Sequence, residues 1–408
     1  MDPSTQIGLI MLALLGFCVV SSRLTRRWLT TPLAWAAFGL ASGSAGLGWL
    51  DLDPNAELVR LLAEATLVLL LFSDASQIPL VTLRKWVELP ARLLGVGLPL
   101  TMAAGTAVAW ALFDWPLVES AMVATILAPT DAALGHAVVS NAAVPARIRQ
   151  ALTVEAGLND GIVLPGMFVL LALATADVDP DTSWLRFWVA QVTLGPLAGL
   201  AIGASSGWLL AWSERTEWSE TSFVRIGSLC VAALCYLGAE EIGGNGFMAA
   251  WVGGLAFGTS APQVSVHVHA FLEAEGKLLM LAVFLLVGCV FAGPALAGAE
   301  WNTYLFALLS LTVLRMVPVA ISLVGSGTGL WSTVFLGWFG PRGLASLLFG
   351  LLILEDQALE SSRELFQVVV VTVLFSILLH GLTAGVGAER YGRWCSAREE
   401  QLPDRDLL

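Results

Sequence analysis

The sequence predicts an all-α polytopic membrane protein of about thirteen transmembrane helices, arranged as two inverted six-helix repeats. Three observations predict it. Hydrophobic residues make up 57% of the 408 and charged residues only 13%, with a mean hydropathy of +0.79. A soluble domain carries about 25% charged residues. Apolar runs near the roughly 20 residues needed to span a bilayer recur along the whole chain. The loops between them alternate between basic and acidic, as the positive-inside rule requires of successive spans.

Taken in order, the first run, 6–22, follows Met-Asp-Pro-Ser-Thr-Gln. It has no positive n-region, and no small-residue cleavage site follows Cys18, so it reads as a retained helix. It ends on Arg23, Arg26 and Arg27. The second, 29–50, leads to Asp51, Asp53 and Glu57; the third, 57–76, to Arg84, Lys85 and Arg92. The fourth, 90–113, leads to Asp114 and Glu119; the fifth, 117–139, to Arg147 and Arg149; the sixth, 149–175, to Asp177, Asp179 and Asp181. The seventh, 185–212, is bracketed by Trp184, Trp188, Trp212 and Trp218, the aromatic anchors expected at an interface, and is followed by Arg215 and Arg225. The eighth, 222–241, ends on Glu240 and Glu241. After 244–259, the segment Pro262 to Ala274 reads as a short interfacial helix carrying His267 and His269. The last four runs are 275–294, 301–324, 330–354 and 365–388, before the basic Arg390, Arg393 and Arg398. Of the 20 Lys and Arg, only Arg60, Arg186 and Arg363 fall on the acidic face, and Arg315 and Arg342 fall within helices. This places the N-terminus outside and the C-terminus in the cytoplasm.

Composition also excludes. A net charge of −12 without basic patches speaks against nucleic acid. Cys18, Cys230, Cys235, Cys289 and Cys395 match neither a disulfide framework nor a zinc spacing. No cofactor and no enzymatic activity are expected.

Two runs carry a breaker near mid-depth: Pro129 in the fifth, and Gly340-Pro341-Arg342-Gly343 in the twelfth. Proline removes a backbone donor and clashes with the preceding turn. Backbone freed at membrane depth is tolerated where it lines a protein cavity. The fifth helix runs inward and the twelfth outward, at matching places in two halves with the seventh as linker. That is the pattern of an inverted-repeat secondary transporter, whose site lies where the broken helices cross.

The charges beside these breaks carry the chemistry. Asp131 follows the first break, beside the carbonyl of Thr130, and Asn159-Asp160 lies near the middle of the sixth helix. A charge at the bilayer centre costs about 2.5–3.5 kcal/mol on insertion scales, so such carboxylates mark function. Oxygen-rich sites suit a hard cation such as Na+. A carboxyl taken out of water also holds a proton more readily, so proton and cation compete for one group. Glu155 and Arg342 are further intramembrane charges that read as a structural ion pair. His136 and His380 read as polar helix-end or packing residues, and Glu64 as an outer-leaflet residue.

Ala128-Pro-Thr-Asp-Ala132, Glu155-Ala-Gly-Leu-Asn-Asp-Gly161 and Gly340-Pro-Arg-Gly-Leu-Ala-Ser346 resemble the NhaP-type and sodium/proton exchanger branch of the monovalent cation/proton antiporters. Leu69-Leu-Leu-Phe-Ser-Asp74 and Asn245-Gly-Phe-Met-Ala-Ala-Trp-Val-Gly-Gly254 resemble it too. The resemblance implies a bacterial inner-membrane homodimer that exchanges a monovalent cation, Na+ favoured over Li+ or K+, for H+ by an elevator-type alternating access. It implies dimerisation-side helices over 1–89 and 222–294, an ion-binding core over 90–175 and 301–388, a linker over 185–212 and a short cytoplasmic tail over 389–408. It makes Asp160 the ion- and proton-binding carboxylate, supported by Asp131, with Thr130 and Asn159 linking the two. Glu155 with Arg342 forms the core ion pair, and Asp74 matches an acidic position that contributes to the site. Related branches with Asp-Asp are electrogenic; Asn159 implies one proton per cation. The chain differs from many relatives at Ala156, where a ligating Ser is common, and at Ala132, where Pro is common. The competing classes are a cation channel with an acidic constriction and an intramembrane aspartyl enzyme using Asp131 and Asp160.

Overall fold

A computed structural model describes residues 2–27, 30–52, 56–78, 87–174, 184–355, 359 and 361–401. Among these the chain is helical throughout, without strands, as an integral membrane protein built of apolar helices. The helices fall where the apolar runs predict. They are α1 (Pro3–Arg27), α2 (Thr31–Ser42), α3 (Ala56–Ser76), α4 (Glu88–Leu112), α5 in two halves (Leu117–Ile126 and Ala132–Val139), α6 (Ala146–Ala174) and α7 (Trp184–Arg215). They continue with α8 (Thr221–Glu241), α9 (Gly246–Ser260), α10 (Pro262–Gly298), α11 (Trp301–Ser322), α12 in two halves (Leu330–Trp338 and Leu344–Glu355) and α13 (Ser362–Gln401). Asp53, Arg84, Lys85, Asp177, Asp179 and Asp181 lie outside the described residues. So do the side chains of Arg23, Arg26, Arg27, Glu57, His136, Trp184, Trp188 and Arg398.

Three boundaries differ from expectation. Pro262 to Ala274 is not a separate interfacial helix but the first turns of α10, because Pro262 sits at its first position, where no donor is lost. A π turn at Val287–Ala292 absorbs the extra length. Glu389 onward is not a free tail at once, since α13 runs on to Gln401. The second run is shorter than its hydropathy suggests: α2 stops at Ser42, where Gly43 packs on Cys289 of α10.

The helices associate in two groups. α2, α3, α7, α8, α9 and α10 pack on one another, and α4, α5, α6, α11, α12 and α13 form the second group. α1 joins the first group through Phe17, edge-on to Trp35. The groups meet where α3 touches the second half of α12 and where α6 lies on α9. Small residues make these contacts close, as they do wherever helices associate in lipid. Gly195, Gly199, Gly203 and Gly207 form one stripe of α7, and a Cβ on Gly195, Gly199 or Gly203 would meet the backbone of α9. On the far side of α9, Gly254 and Gly258 admit the carbonyls of Phe72 and Ser76. α9 is thereby clamped between α7 and α3, and α3 carries Asp74 to the boundary of the second group.

Replacing Gly199 by Leu is expected to destabilise the protein. Helix propensity favours Leu over Gly by about 0.8–1 kcal/mol. Overpacking costs about 1–3 kcal/mol or more, and here the obstacle is backbone rather than a side chain that can swing away. Gly199→Leu should therefore lower the melting temperature in detergent, whereas Gly8→Ala, with nothing within 4 Å, should not. Equal melting of the two variants would show that α7 and α9 are not in backbone contact.

Candidate functional site

The two broken helices cross, and the crossing brings four helix ends together. Pro129 and Pro341 lack the N–H that would continue each ladder. The backbone between the halves bonds across instead: the Asp131 N–H donates to the Pro341 carbonyl at 2.8 Å. Gly340 and Gly343 permit the approach. A Cβ on Gly343 would overlap the Asp131 carboxylate, and one on Gly340 would meet Arg315 Nε at 2.6 Å and Thr130 Cγ2 at 3.0 Å.

Half-helix N-termini expose N–H groups and a partial positive charge. Asp131 answers both. Its Oδ1 accepts from the Leu134 N–H at 3.2 Å, capping the second half of α5. Its Oδ2 accepts from the Leu344 N–H at 2.6 Å, capping the second half of α12. The opposite ends expose carbonyls. The Ile126 carbonyl accepts from Ser346 Oγ at 2.9 Å, and the Gly340 carbonyl from Arg342 Nη1 at 2.7 Å. His380 Nε2 lies 2.9 Å from the Trp338 carbonyl, which can only accept, so Nε2 carries the hydrogen. His380 Nδ1 lies 3.1 Å from both the Oγ and the carbonyl of Ser376, and Ser376 Oγ accepts from the Arg342 N–H at 2.6 Å. The imidazole of His380 thus closes the end of the first half of α12.

Asn159 and Asp160 lie on α6 against this crossing. Asn159 Nδ2 donates to Thr130 Oγ1 at 2.8 Å, tying α6 to the break in α5. Asp160 is 2% exposed, and its Oδ1 has no hydrogen-bond partner; nor has Asn159 Oδ1. Asp131 lies within coulombic range of both Asp160 and Asp74. Asp74, half-buried on α3, also faces Glu273 and Lys277 of α10, so it sits at the edge of the site rather than at its centre.

Glu155 does not pair with Arg342. Its partner is Arg315 of α11, with Nη1 2.6 Å from Glu155 Oε1 and both side chains almost fully buried. The reason is reach: Arg342 stands in the break, and its guanidinium is directed to the Gly340 carbonyl beside it. Arg315, brought in by the kink of α11 at Thr312, points across at α6. Glu155 Oε2 and Arg342 Nε and Nη2 have no hydrogen-bond partner. Arg315, Ser376 and His380 are site residues that lie outside the sequence motifs. The intramembrane position of Arg315 was the one signal available.

A cavity of about 10 Å³, close to what one water molecule requires, lies against Thr130, Asp131, Gly135, Ala156, Phe339 and Pro341. Ala156 adds a methyl wall where a hydroxyl would add an oxygen. The crossing therefore combines a buried carboxylate with an unpartnered oxygen at Asp160, backbone freed by two breaks, and a water-sized space against Thr130 and Asp131.

Comparison with known proteins agrees with this geometry. Residues 10–387 match the sodium/hydrogen exchanger transmembrane family. The chain is 23% identical over 367 residues to the K(+)/H(+) antiporter NhaP2 of Shewanella baltica, covering 87% of this chain and 61% of that protein. It is 25% identical over 309 residues to the low-affinity Na(+)/H(+) antiporter NhaS1 of Synechocystis sp., covering 71% of this chain and 55% of that protein. It spans about three fifths of the length of the NhaP2 relatives it matches. The fold is similar to that of the sodium proton antiporter MjNhaP1 from Methanocaldococcus jannaschii, with a TM-score of 0.77 at 18% identity over 96% of this chain and 100% of that chain. The resemblance read from the Thr130-Asp131 and Asn159-Asp160 motifs is to this same branch, and with residues 10–387 matched, the chain belongs to the transmembrane sodium/hydrogen exchanger family.

Proposed function

We propose that the chain exchanges a monovalent cation for a proton at Asp160, one for one, by alternating access. The observation that carries this is the charge balance at the crossing. Asp131, Glu155 and Asp160 face Arg315 and Arg342, and all but half-buried Asp131 are at most 2% exposed. Three carboxylates against two guanidiniums leave one negative charge. A proton or a monovalent cation on Asp160 makes the group neutral in either case. Asp131 cannot take that role equally, because both its oxygens are held by helix N-termini. The same restraint disfavours an aspartyl-enzyme dyad. Asp131 is the positioning carboxylate, Asn159 and Thr130 hold α6 to the break, and Asp74 contributes from the edge.

Na+ is the favoured cation over Li+ or K+. The oxygen donors gathered at the crossing suit a hard cation such as Na+. The relatives divide on this point, NhaP2 being a K(+)/H(+) antiporter and NhaS1 a Na(+)/H(+) antiporter. α4 to α6 and α11 to α13 form the moving core, and the helices within 1–89 and 222–294 form the dimerisation side of a homodimer. The packing into two groups supports this division. The N-terminus lies outside and the C-terminus in the cytoplasm of a bacterial inner membrane, in line with the positive-inside rule.

Three outcomes follow. Asp160→Asn keeps a similar hydrogen-bonding shape but cannot titrate, so exchange in proteoliposomes should vanish while the melting temperature is kept; persistence of proton-coupled exchange would sink the assignment.

Arg315→Gln leaves Glu155 buried without its partner, a loss that typically costs about 3–5 kcal/mol. Arg342→Gln loses chiefly a bond to a carbonyl, nearer the 1.5–3 kcal/mol of a hydrogen bond to a charged group. Arg315→Gln should therefore melt lower than Arg342→Gln, and the reverse order would return Glu155 to Arg342.

A Na+ gradient should drive proton movement without net current, and an imposed membrane potential should leave the rate unchanged. A current that scales with the gradient would mean that a second buried group exchanges protons, with Asp74 and Asp131 the first to test.

A further inference from the structure

A second concavity lies on the side of the first half of α12 away from Asp160. It is a groove of about 710 Å³ between the first half of α12 and the end of α13. Trp331, Phe335, Trp338, Phe339 and Trp394 are among its walls, and Arg390 supplies its charge. The volume falls in the usual range of ligand sites, about 300–1,000 Å³. The polar atoms of the walls are largely spent within the protein. Tyr391 Oη bonds Ser332 Oγ at 2.7 Å, and Trp338 Nε1 donates to Thr383 Oγ1 at 3.0 Å. Arg390 is exposed and, among the described residues, makes no hydrogen bond or ion pair.

We propose that this groove holds an anionic phospholipid of the cytoplasmic leaflet, with an acyl chain along the aromatic walls and the phosphate on Arg390, and that its occupancy sets the transport rate. Charge complementarity selects the occupant. An apolar trough in a bilayer accepts any acyl chain, but a lone guanidinium at the level of tryptophan anchors selects an anionic headgroup. The link to transport is Phe339, whose ring lines both this groove and the cavity at Thr130 and Asp131. α13 leaves that ring little slack, since a Cβ on Gly387 would stand 2.6 Å from it. A chain seated in the groove braces the half-helix whose end forms the crossing.

The orientation and the rate readout rest on the proposed antiport; the binding readout does not. The test uses the purified full chain, the variant Arg390→Gln, and Val386→Trp, which fills the groove from a position 40% exposed and remote from Asp160. Native mass spectrometry reads retained phosphatidylglycerol or phosphatidylcholine. Proteoliposomes of phosphatidylcholine alone, or with added phosphatidylglycerol, read exchange. The parent should retain phosphatidylglycerol about fivefold better than Arg390→Gln, the effect of one basic residue near an anionic surface. Its exchange should rise with phosphatidylglycerol, while both variants stay at the rate in phosphatidylcholine. Equal retention of the two lipids by the parent would show that acyl chains alone fill the groove and would overturn the proposal. An equal rise in parent and variants would assign the effect to vesicle surface charge and overturn it as well. A parent that exchanges in neither lipid yet retains phosphatidylglycerol through Arg390 would defeat the antiport reading and leave the lipid site standing.

Discussion

The structure depends on one carboxylate that serves two helices. Breaking a transmembrane helix frees N–H groups in a medium with no water to satisfy them, at several kcal/mol for each unsatisfied group. Two breaks at one depth double the problem. Asp131 solves both N-terminal halves of it, one oxygen to Leu134 and the other to Leu344. Its negative charge also meets two positive helix ends. Gly343 leaves room for the carboxylate, and the Pro341 carbonyl takes the Asp131 N–H. The C-terminal ends are closed by different chemistry, through Ser346, Arg342 and His380, because carbonyls require donors.

Once Asp131 is committed to the helix ends, the other buried charges have distinct tasks. Glu155 and Arg315 neutralise each other across α6 and α11. Arg342 is held on the Gly340 carbonyl within the break. Asp160 is left with an unpartnered oxygen and no dedicated cation of its own. A buried carboxylate in that position is stable only when something neutralises it, and among the described residues no further cationic side chain is bonded to it. In the proposed exchange this absence is the function: the neutralising particle must arrive from solution.

The hydropathy profile carried the helix positions, and the breakers carried the crossing, because both are local properties of a segment. Pro129 and Gly340-Pro341 interrupt their ladders whatever surrounds them. Asp131 and Asp160 were legible for a related reason, since a carboxylate in an apolar run needs an explanation at once. The partner of Glu155 was not legible. Arg342 and Arg315 are both arginines within apolar runs, and only the path of α11 past its kink decides which one reaches α6. The joining of Pro262 to Ala274 onto α10 was missed for the converse reason, as its His and Glu residues look interfacial until Ser73 is seen on His269 Nδ1 at 3.0 Å. Tertiary partners, rather than local propensity, decide such features.

In the proposed exchange the charge balance also bears on how return of the empty site is slowed. With a proton or a cation on Asp160 the five charges at the crossing sum to zero, and moving them relative to the bilayer moves no net charge. With Asp160 empty the same movement would carry one uncompensated negative charge through the low-dielectric region, at roughly 2.5–3.5 kcal/mol on insertion scales. That penalty alone slows transit of the empty form by about two orders of magnitude, since 1.4 kcal/mol is a factor of ten. The ratio makes return without cargo slow rather than forbidden. Tighter coupling therefore needs a second barrier besides the cost of burying the empty carboxylate.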